Sequence, residues 1–204
     1  MTSMQDSRLT VTSGLWSRWA AAHLAAFALS HALFSIVDML VDALGGHGSF
    51  PGLLAHIVAL VIGGLIVGAF QLLALRPNAF QSRPWIFLSI VSYGLSFSIG
   101  FAVGLPFDYL LSLTLFGALS GLWQFRQLWP GTPQARWWPI ASTIAFALAG
   151  AASSGAILTT ISIVGLTTFL HMSPIFVNVV QIFIGALAGA VAGGLSGIAL
   201  VKIR

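Results

Sequence analysis

Six apolar runs, each long enough to cross a lipid bilayer, account for most of this chain. A membrane-spanning helix needs about 20 predominantly apolar residues, and the runs lie at about 16–44, 52–75, 85–105, 109–129, 137–163 and 174–201. None alternates apolar and polar residues with the period of two that barrel strands require, and only helices and closed barrels span lipid. The sequence therefore predicts an all-α polytopic membrane protein with six transmembrane helices.

The composition excludes a soluble domain. Only 6% of the residues are charged and 58% are hydrophobic, whereas soluble domains carry about 25% charged residues. The isoelectric point near 10.8 does not indicate nucleic-acid binding, because the eight lysines and arginines are dispersed over helix ends and form no patch. The chain has no cysteine, which excludes disulfides and thiolate metal sites.

The polar residues 1–14 show no apolar periodicity. We therefore expect a flexible cytosolic tail, followed by one transmembrane domain over residues 15–204. A cleaved signal peptide is the alternative for the first apolar run. That run is longer than the roughly 7–15 apolar residues of a signal peptide and lacks a small-x-small cleavage site, so we interpret it as a transmembrane helix. Gly45-Gly46 predicts its end, and Ser49 predicts the cap of the second helix.

One motif occurs twice along the chain. The first copy is Gly64-xxx-Gly68-xx-Gln71, followed by Pro77, Gln81, Arg83, Trp85 and Ser89. The second copy is Gly117-xxx-Gly121-xx-Gln124, followed by Pro130, Gln134, Arg136, Trp138 and Ser142. We interpret the copies, at about 56–106 and 109–159, as two antiparallel helix pairs, each joined by a short basic turn.

The last and first helices carry the elements of a third copy. Gly185, Gly189, Gly193 and Gly197 follow at four-residue steps, and Ser196 stands where the glutamine is expected. The first helix begins with Arg18-Trp19, as the other two second-member helices begin with arginine and tryptophan. The sequence thus predicts three pseudo-repeated hairpins, formed by helices two and three, four and five, and six and one.

Each position of the motif has a physical role in lipid. Glycines four residues apart share one helix face and let a second backbone approach closely, which is how membrane helices associate. The two glutamine carboxamides lie one turn further on, within the bilayer, and need partners on neighbouring helices. Arg83 and Arg136 are expected in the headgroup layer, where Trp85 and Trp138 would anchor the next helix at the interface.

All eight lysines and arginines fall at one end of the predicted helices. The positive-inside rule assigns that end to the cytoplasm, so we expect both termini there.

The repeated motif resembles the repeated unit of uncharacterised bacterial multispan membrane proteins. The similarity covers about residues 60–150 and departs from the family at Trp129, where the first copy has Arg76. The resemblance implies a fold and the bacterial cytoplasmic (inner) membrane, but no activity and no functional residues.

The strongest functional candidate is a polar stripe on the first helix. At 100° per residue, His23, His31, Asp38 and Asp42 fall within about 100° of arc and extend over about 28 Å, close to the hydrocarbon thickness. A titratable residue at mid-membrane usually faces a bundle interior or a cavity. A proton or ion pathway and imidazole ligation of a pigment are open alternatives. The structural alternative has His31 bonding a neighbouring helix and Asp42 reaching water.

We expect no metal site and no catalysis. The outer-end residues with metal-binding chemistry come from different connections and lack the spacing that brings ligands together; they are Asp42, His47, His56, Asp108 and His171. Gly194-Leu195-Ser196-Gly197 matches the short motif of intramembrane serine proteases. No histidine follows it to act as the general base that a serine nucleophile needs.

Two functional hypotheses remain. The first is a noncatalytic integral membrane subunit or scaffold, whose glycine faces pack against its own helices, a second copy or another membrane protein, with lipid or pigment in the remaining grooves. The alternative is a small transporter, channel or substrate-binding subunit whose first-helix stripe faces a cavity. The sequence contains no phosphate-binding loop and no dinucleotide motif, so it leaves the cofactor and the cargo unspecified.

Overall fold

The computed structural model describes residues 3–43, 45–46, 48–75, 82–103, 108–128, 133–165, 168 and 173–203. These residues form six α-helices: α1 (Ser3–Ala43), α2 (Phe50–Ala74), α3 (Ser82–Val103), α4 (Asp108–Leu128), α5 (Trp138–Val164) and α6 (Pro174–Ile203). A short 3-10 helix, Pro133–Trp137, leads into α5. No residue of the described part lies in a β-strand, so the all-α prediction is confirmed over that part.

Five of these helices are long and apolar enough to span a membrane. The spans are Gly14–Ala43, Phe50–Ala74, Pro84–Val103, Ala135–Val164 and Ile175–Lys202. Helix α4 is not among them, although we predicted a span there. It begins with Asp108 and carries Arg126 in its last turn, and the polar residues between them make it less apolar than the other five. The sixth span stays a prediction.

Helix α1 begins at Ser3, so its backbone includes most of the stretch for which composition predicted an irregular tail. The apolar part of the helix starts at Gly14, close to where the first apolar run begins. Extending an existing helix toward its N-terminus costs little free energy, because each added residue gains a backbone hydrogen bond and no new helix nucleus has to form. Hydropathy therefore marks where the apolar segment begins and not where the helix begins.

The turn between α1 and α2 forms as its sequence predicts. Gly45 and Gly46 both have positive φ angles, 103° and 85°, and the Gly46 N–H donates to the Val41 carbonyl at 2.9 Å, which ends α1. Ser49 then caps α2 by accepting a hydrogen bond from the Gly52 N–H at 3.1 Å. Glycine is required here because other residues rarely adopt positive φ.

The six helices form a closed ring. Each contacts the next along the chain, and α6 returns to contact α1. Neighbouring helices run antiparallel, as two α1–α2 contacts show: Ser30 donates to the Gly63 carbonyl at 3.4 Å, whereas Asp38, further along α1, lies beside His56, earlier in α2. On α1 and α6 likewise, Trp16 lies beside Gly197, whereas His31, further along α1, lies beside Gly185, earlier in α6.

Three helix pairs pack directly through the glycines of the predicted motif and of its third copy. A Cβ atom added at Gly64 on α2 would lie 2.5 Å from the Ile90 Cα on α3. One added at Gly117 on α4 would lie 2.6 Å from the Phe146 Cβ on α5. On α6, a Cβ at Gly189 would collide with the backbone of α1. Real carbon atoms do not approach this closely, so only glycine permits these three contacts.

One turn further on, the next glycine of each pair meets a corresponding residue. A Cβ at Gly68 would lie 2.9 Å from the Ser89 Cβ, and one at Gly121 would lie 2.9 Å from the Ser142 Cβ. At Gly193, the contact is the Cβ of His23, 2.6 Å away. Ser89, Ser142 and His23 each lie four residues after a buried tryptophan, namely Trp85, Trp138 and Trp19.

Replacing Gly64 by alanine is expected to lower stability, because the new methyl group would collide with the backbone of α3. Overpacking of this kind typically costs about 1–3 kcal/mol. Gly194→Ala is the matched control, since nothing lies within 4 Å of a Cβ at that position. Thermal unfolding in detergent micelles should give a lower Tm for G64A and an unchanged Tm for G194A. Equal Tm values would contradict the close packing of α2 on α3.

Candidate ligand-binding cavity

A cavity of about 590 Å³ lies inside the ring of helices. All six helices contribute to its lining, so it is a property of the whole bundle. The polar side chains on its wall are His31, Asp38, His56, Asp108, Tyr109, Ser112 and Gln181. Most of the remaining wall is aromatic or branched aliphatic and includes Phe34, Phe97 and Phe101.

The cavity lies at the end of the ring where α1 ends and α2 begins. Asp38 and His56 on its lining are partly exposed, with 38% and 22% of their side-chain surface accessible. The lysine and arginine side chains that the structure describes are exposed toward the opposite end of the bundle; they are Arg18, Arg126, Arg136 and Lys202. Cations and cavity are therefore separated along the bundle.

His31 is fixed on the cavity wall by three neighbours. Its Nδ1 donates to the Phe27 carbonyl at 2.8 Å, because a carbonyl oxygen only accepts. Its ring stacks on Tyr109 with centroids 5.5 Å apart and planes 21° apart. Gly185 on α6 lies directly behind the ring, where a Cβ would be 2.5 Å from the His31 Cγ. In the neutral ring this leaves Nε2 as an acceptor.

Two carboxyl groups lie on different sides of the cavity. Asp38 on α1 pairs with His56 on α2, with Oδ1 and Nε2 3.4 Å apart. Asp108 is the first residue of α4 and is only 7% exposed; its Oδ1 accepts from the Tyr109 N–H at 2.7 Å. Burial raises the pKa of the Asp108 carboxyl, and the Tyr109 N–H opposes that shift.

A layer of buried aromatic rings closes the inner end of the cavity. Phe27, Tyr93, Phe116 and Phe146 come from four helices and are at most 2% exposed. Their ring centroids lie between 5.1 Å, for Phe116 and Phe146, and 6.4 Å, for Phe27 and Tyr93. On each helix these residues lie between the cavity-lining residues and the end that carries the described cations. At this end, the cavity is therefore bounded by packed aromatic rings.

Below this aromatic layer, four side chains from four helices form a chain of hydrogen bonds. Trp138 Nε1 donates to Gln124 Oε1 at 3.0 Å, and Gln124 Nε2 donates to Gln71 Oε1 at 3.2 Å. Gln71 Nε2 lies 3.2 Å from His23 Nε2. His23 Nδ1 lies 2.9 Å from the Trp19 carbonyl and must donate to it, so its Nε2 accepts from Gln71. Every bond therefore runs in one direction.

Ser196 has a structural role in the same region. Its hydroxyl accepts from Trp19 Nε1 at 2.9 Å and donates to the Ala192 carbonyl at 2.6 Å. The residue is 1% exposed. The bond from Trp19 joins α6 to α1, whereas the bond to Ala192 lies within α6. The short protease-like motif around Ser196 is thus part of a helix interface.

The predicted stripe on α1 divides between three environments. His31 and Asp38 line the cavity, whereas His23 belongs to the hydrogen-bonded chain below the aromatic layer. Asp42 is exposed and does not line the cavity. Sequence reasoning did not place His56, Tyr109 or Gln181 beside the stripe, because nothing in a single sequence gives the rotation of one helix against another.

The tryptophans of the repeated motif lie in the interior. Trp85 is 3% exposed and Trp138 is fully buried, although we expected both to anchor helices at the lipid interface. The indole N–H of Trp138 is used by Gln124, which explains its burial. Arg136 is exposed, with its guanidinium 5.5 Å from the ring centre of the exposed Trp137. The side chain of Arg83 lies outside the described residues.

No three histidine or acidic side chains in the described part of the chain are grouped closely enough to hold a metal ion. His47 and His171, which belong to the disfavoured metal-site set, lie outside the described residues. The site therefore has to be understood from its cavity, its two carboxyls and its aromatic wall.

Replacing Gln71 by leucine is expected to destabilise the bundle by about 1–2 kcal/mol, since Gln124 loses its acceptor and His23 loses its donor. Thr159→Val is a suitable control, because its hydroxyl only bonds the Gly155 carbonyl of its own exposed helix face. Unfolding of purified protein in mixed micelles should separate the two variants. Equal unfolding midpoints would show that the buried chain of hydrogen bonds does not stabilise the fold.

Comparisons with protein-family models, with curated proteins and with solved structures each returned no significant match. The resemblance to bacterial multispan proteins accordingly rests on the repeated motif alone. The geometry of the cavity is what remains to indicate function.

Proposed function

We propose that this protein is a noncatalytic membrane-embedded binding protein for a small molecule, acting as a substrate-binding subunit or a small transporter. The observation that carries the proposal is the cavity of about 590 Å³ enclosed by all six helices. Ligand sites typically measure about 300–1,000 Å³, with mostly apolar walls and a few placed polar groups. The wall found here, aromatic with two carboxyls, two imidazoles and one carboxamide, has that character.

The aromatic layer at the inner end of the cavity favours binding of a ligand over free conduction of ions or solutes. A channel needs a continuous polar path, whereas here buried aromatic rings and then a hydrogen-bonded chain of buried side chains follow the cavity. A ligand that enters from the open end therefore stops at the aromatic layer. Any passage to the other side would require these layers to separate.

The packing of the glycines against helices of the same chain argues against a role as a scaffold for a partner protein. The glycines of the repeated motif, together with Gly189 and Gly193, meet the chain's own helices so closely that a side chain would collide. These faces are therefore filled within one molecule. The same contact recurs in three helix pairs, where a glycine packs against the residue four positions after a tryptophan. This recurrence supports a role for the glycines in packing the chain's own helices.

We interpret those recurring contacts as three quasi-equivalent hairpins with pseudo-threefold symmetry. In this interpretation Ser196 corresponds to Gln71 and Gln124, and His23 corresponds to Ser89 and Ser142. Helix α4 then crosses the membrane as the sixth span, because it occupies the place in the ring that the symmetry assigns to α2 and α6. With the cations at the cytoplasmic end, the cavity opens on the opposite side of the membrane, and both termini are cytoplasmic.

A tryptophan at position 180 is expected to fill the cavity and remove a bound small molecule. Val180 lines the cavity on α6, and its neighbour Val179 is 46% exposed on the outside of the bundle, so Val179→Trp is the matched control. Liquid chromatography with mass spectrometry of extracts from purified protein should detect a co-purified molecule in wild type and V179W and not in V180W. The proposal would be refuted if extracts of all three proteins contained the same molecule. It would also be refuted if wild type purified from its native membrane contained no bound molecule.

A further inference from the structure

The charges on the cavity wall indicate the charge of the ligand. Asp38 and Asp108 lie on the lining, and among the described residues no lysine or arginine does. Charges in a low-dielectric surrounding are weakly screened, so a negatively charged ligand would be repelled from this end of the bundle. The whole chain has a formal net charge of +4, so the excess of carboxyls on the cavity wall is opposite in sign to the charge of the protein as a whole.

Of the two histidines on the lining, His56 lies beside Asp38, with Nε2 and Oδ1 3.4 Å apart. Asp108 comes from another helix, and no described lysine or arginine lines the cavity beside it. Asp108 is shielded from water, being 7% exposed, and a cation that binds beside it would favour its ionised form.

The aromatic rings on the wall suit a cation with an apolar body. Phe34 stacks on Phe97 with centroids 6.5 Å apart and planes 20° apart, and Phe101 packs edge-on to Phe34 at 6.0 Å. The stacked pair of Tyr109 and His31 adds a second aromatic surface. Ring faces attract positive charge, and organic ammonium ions are bound in this way by aromatic residues next to carboxylates.

The size of the cavity suits an organic molecule better than a single inorganic ion. A metal ion needs several close oxygen or nitrogen ligands, and no such group of three histidine or acidic residues is present in the described part of the chain. A volume of about 590 Å³ instead fits an organic molecule of one to three rings.

We propose, resting on the proposed function, that the ligand is an organic monocation with a flat apolar body, bound between the carboxyls of Asp38 and Asp108 and the aromatic wall. The cationic group lies toward the carboxyls, and the apolar body lies against the phenylalanine cluster. The site thus selects a protonated amine or a charged nitrogen heterocycle over neutral or anionic molecules of the same shape.

Three probes of one shape and different charge test this selection. Radiolabelled N-methyl-4-phenylpyridinium is bound to the protein in lipid nanodiscs, and 4-methylbiphenyl and biphenyl-4-carboxylate are added as competitors. We expect saturable binding that unlabelled cation displaces and the other two do not. D38N and D108N should each weaken binding about tenfold or more, while D42N, which changes an exposed carboxyl outside the cavity, should leave it unchanged.

The controls separate failure of this inference from failure of the proposed function. Selection for a cation would be overturned if the neutral or the anionic competitor displaced the radiolabelled probe at the same concentration as the unlabelled cation. Unchanged binding of the probe in both D38N and D108N would overturn it as well. If the extracts of wild type and V179W still contain a molecule that V180W lacks, the cavity binds a ligand of another class. If V180W behaves as wild type in both assays, the cavity is not a binding site.

Discussion

The close approach of helix backbones at glycine is the constraint on which the rest of the structure depends. In lipid, apolar side chains gain little by contacting each other, so helices are held by tight packing and by polar contacts between them. Gly64, Gly117 and Gly189 each bring two helices so near that a methyl group would collide with the partner helix. These contacts fix α2 on α3, α4 on α5 and α6 on α1, and the ring closes because the pairs also contact each other.

Close packing at one end makes the polar chain possible. Gln71 and Gln124 can meet His23 and Trp138 only when four helices converge there. An unbonded carboxamide in lipid would be costly, and each of these polar groups satisfies its neighbour. His23 occurs where the other two helix pairs have serine, and its longer side chain is what reaches Gln71. The three proposed hairpins therefore differ at this position, and the histidine completes the chain of hydrogen bonds.

The sequence allowed the local features to be predicted and left the relations between helices open. Apolar length predicts the spans, and Gly45, Gly46 and Ser49 predict a helix boundary, since both depend on neighbouring residues. The line of His31 and Asp38 follows from helical periodicity alone. Its environment does not, because the cavity depends on the rotation of five other helices. Hydropathy likewise cannot distinguish a tryptophan at the lipid interface from one such as Trp138, which is buried and bonds Gln124.

The position of the cavity relative to these layers decides what kind of transport is physically open to the protein. Translocation would require the rings of Phe27, Tyr93, Phe116 and Phe146 to separate and the bonds below them to break. Binding and release through the open end require neither. In the proposed function, capture of a ligand therefore needs no rearrangement of these layers, whereas transfer across the membrane would need a second conformation in which they are open.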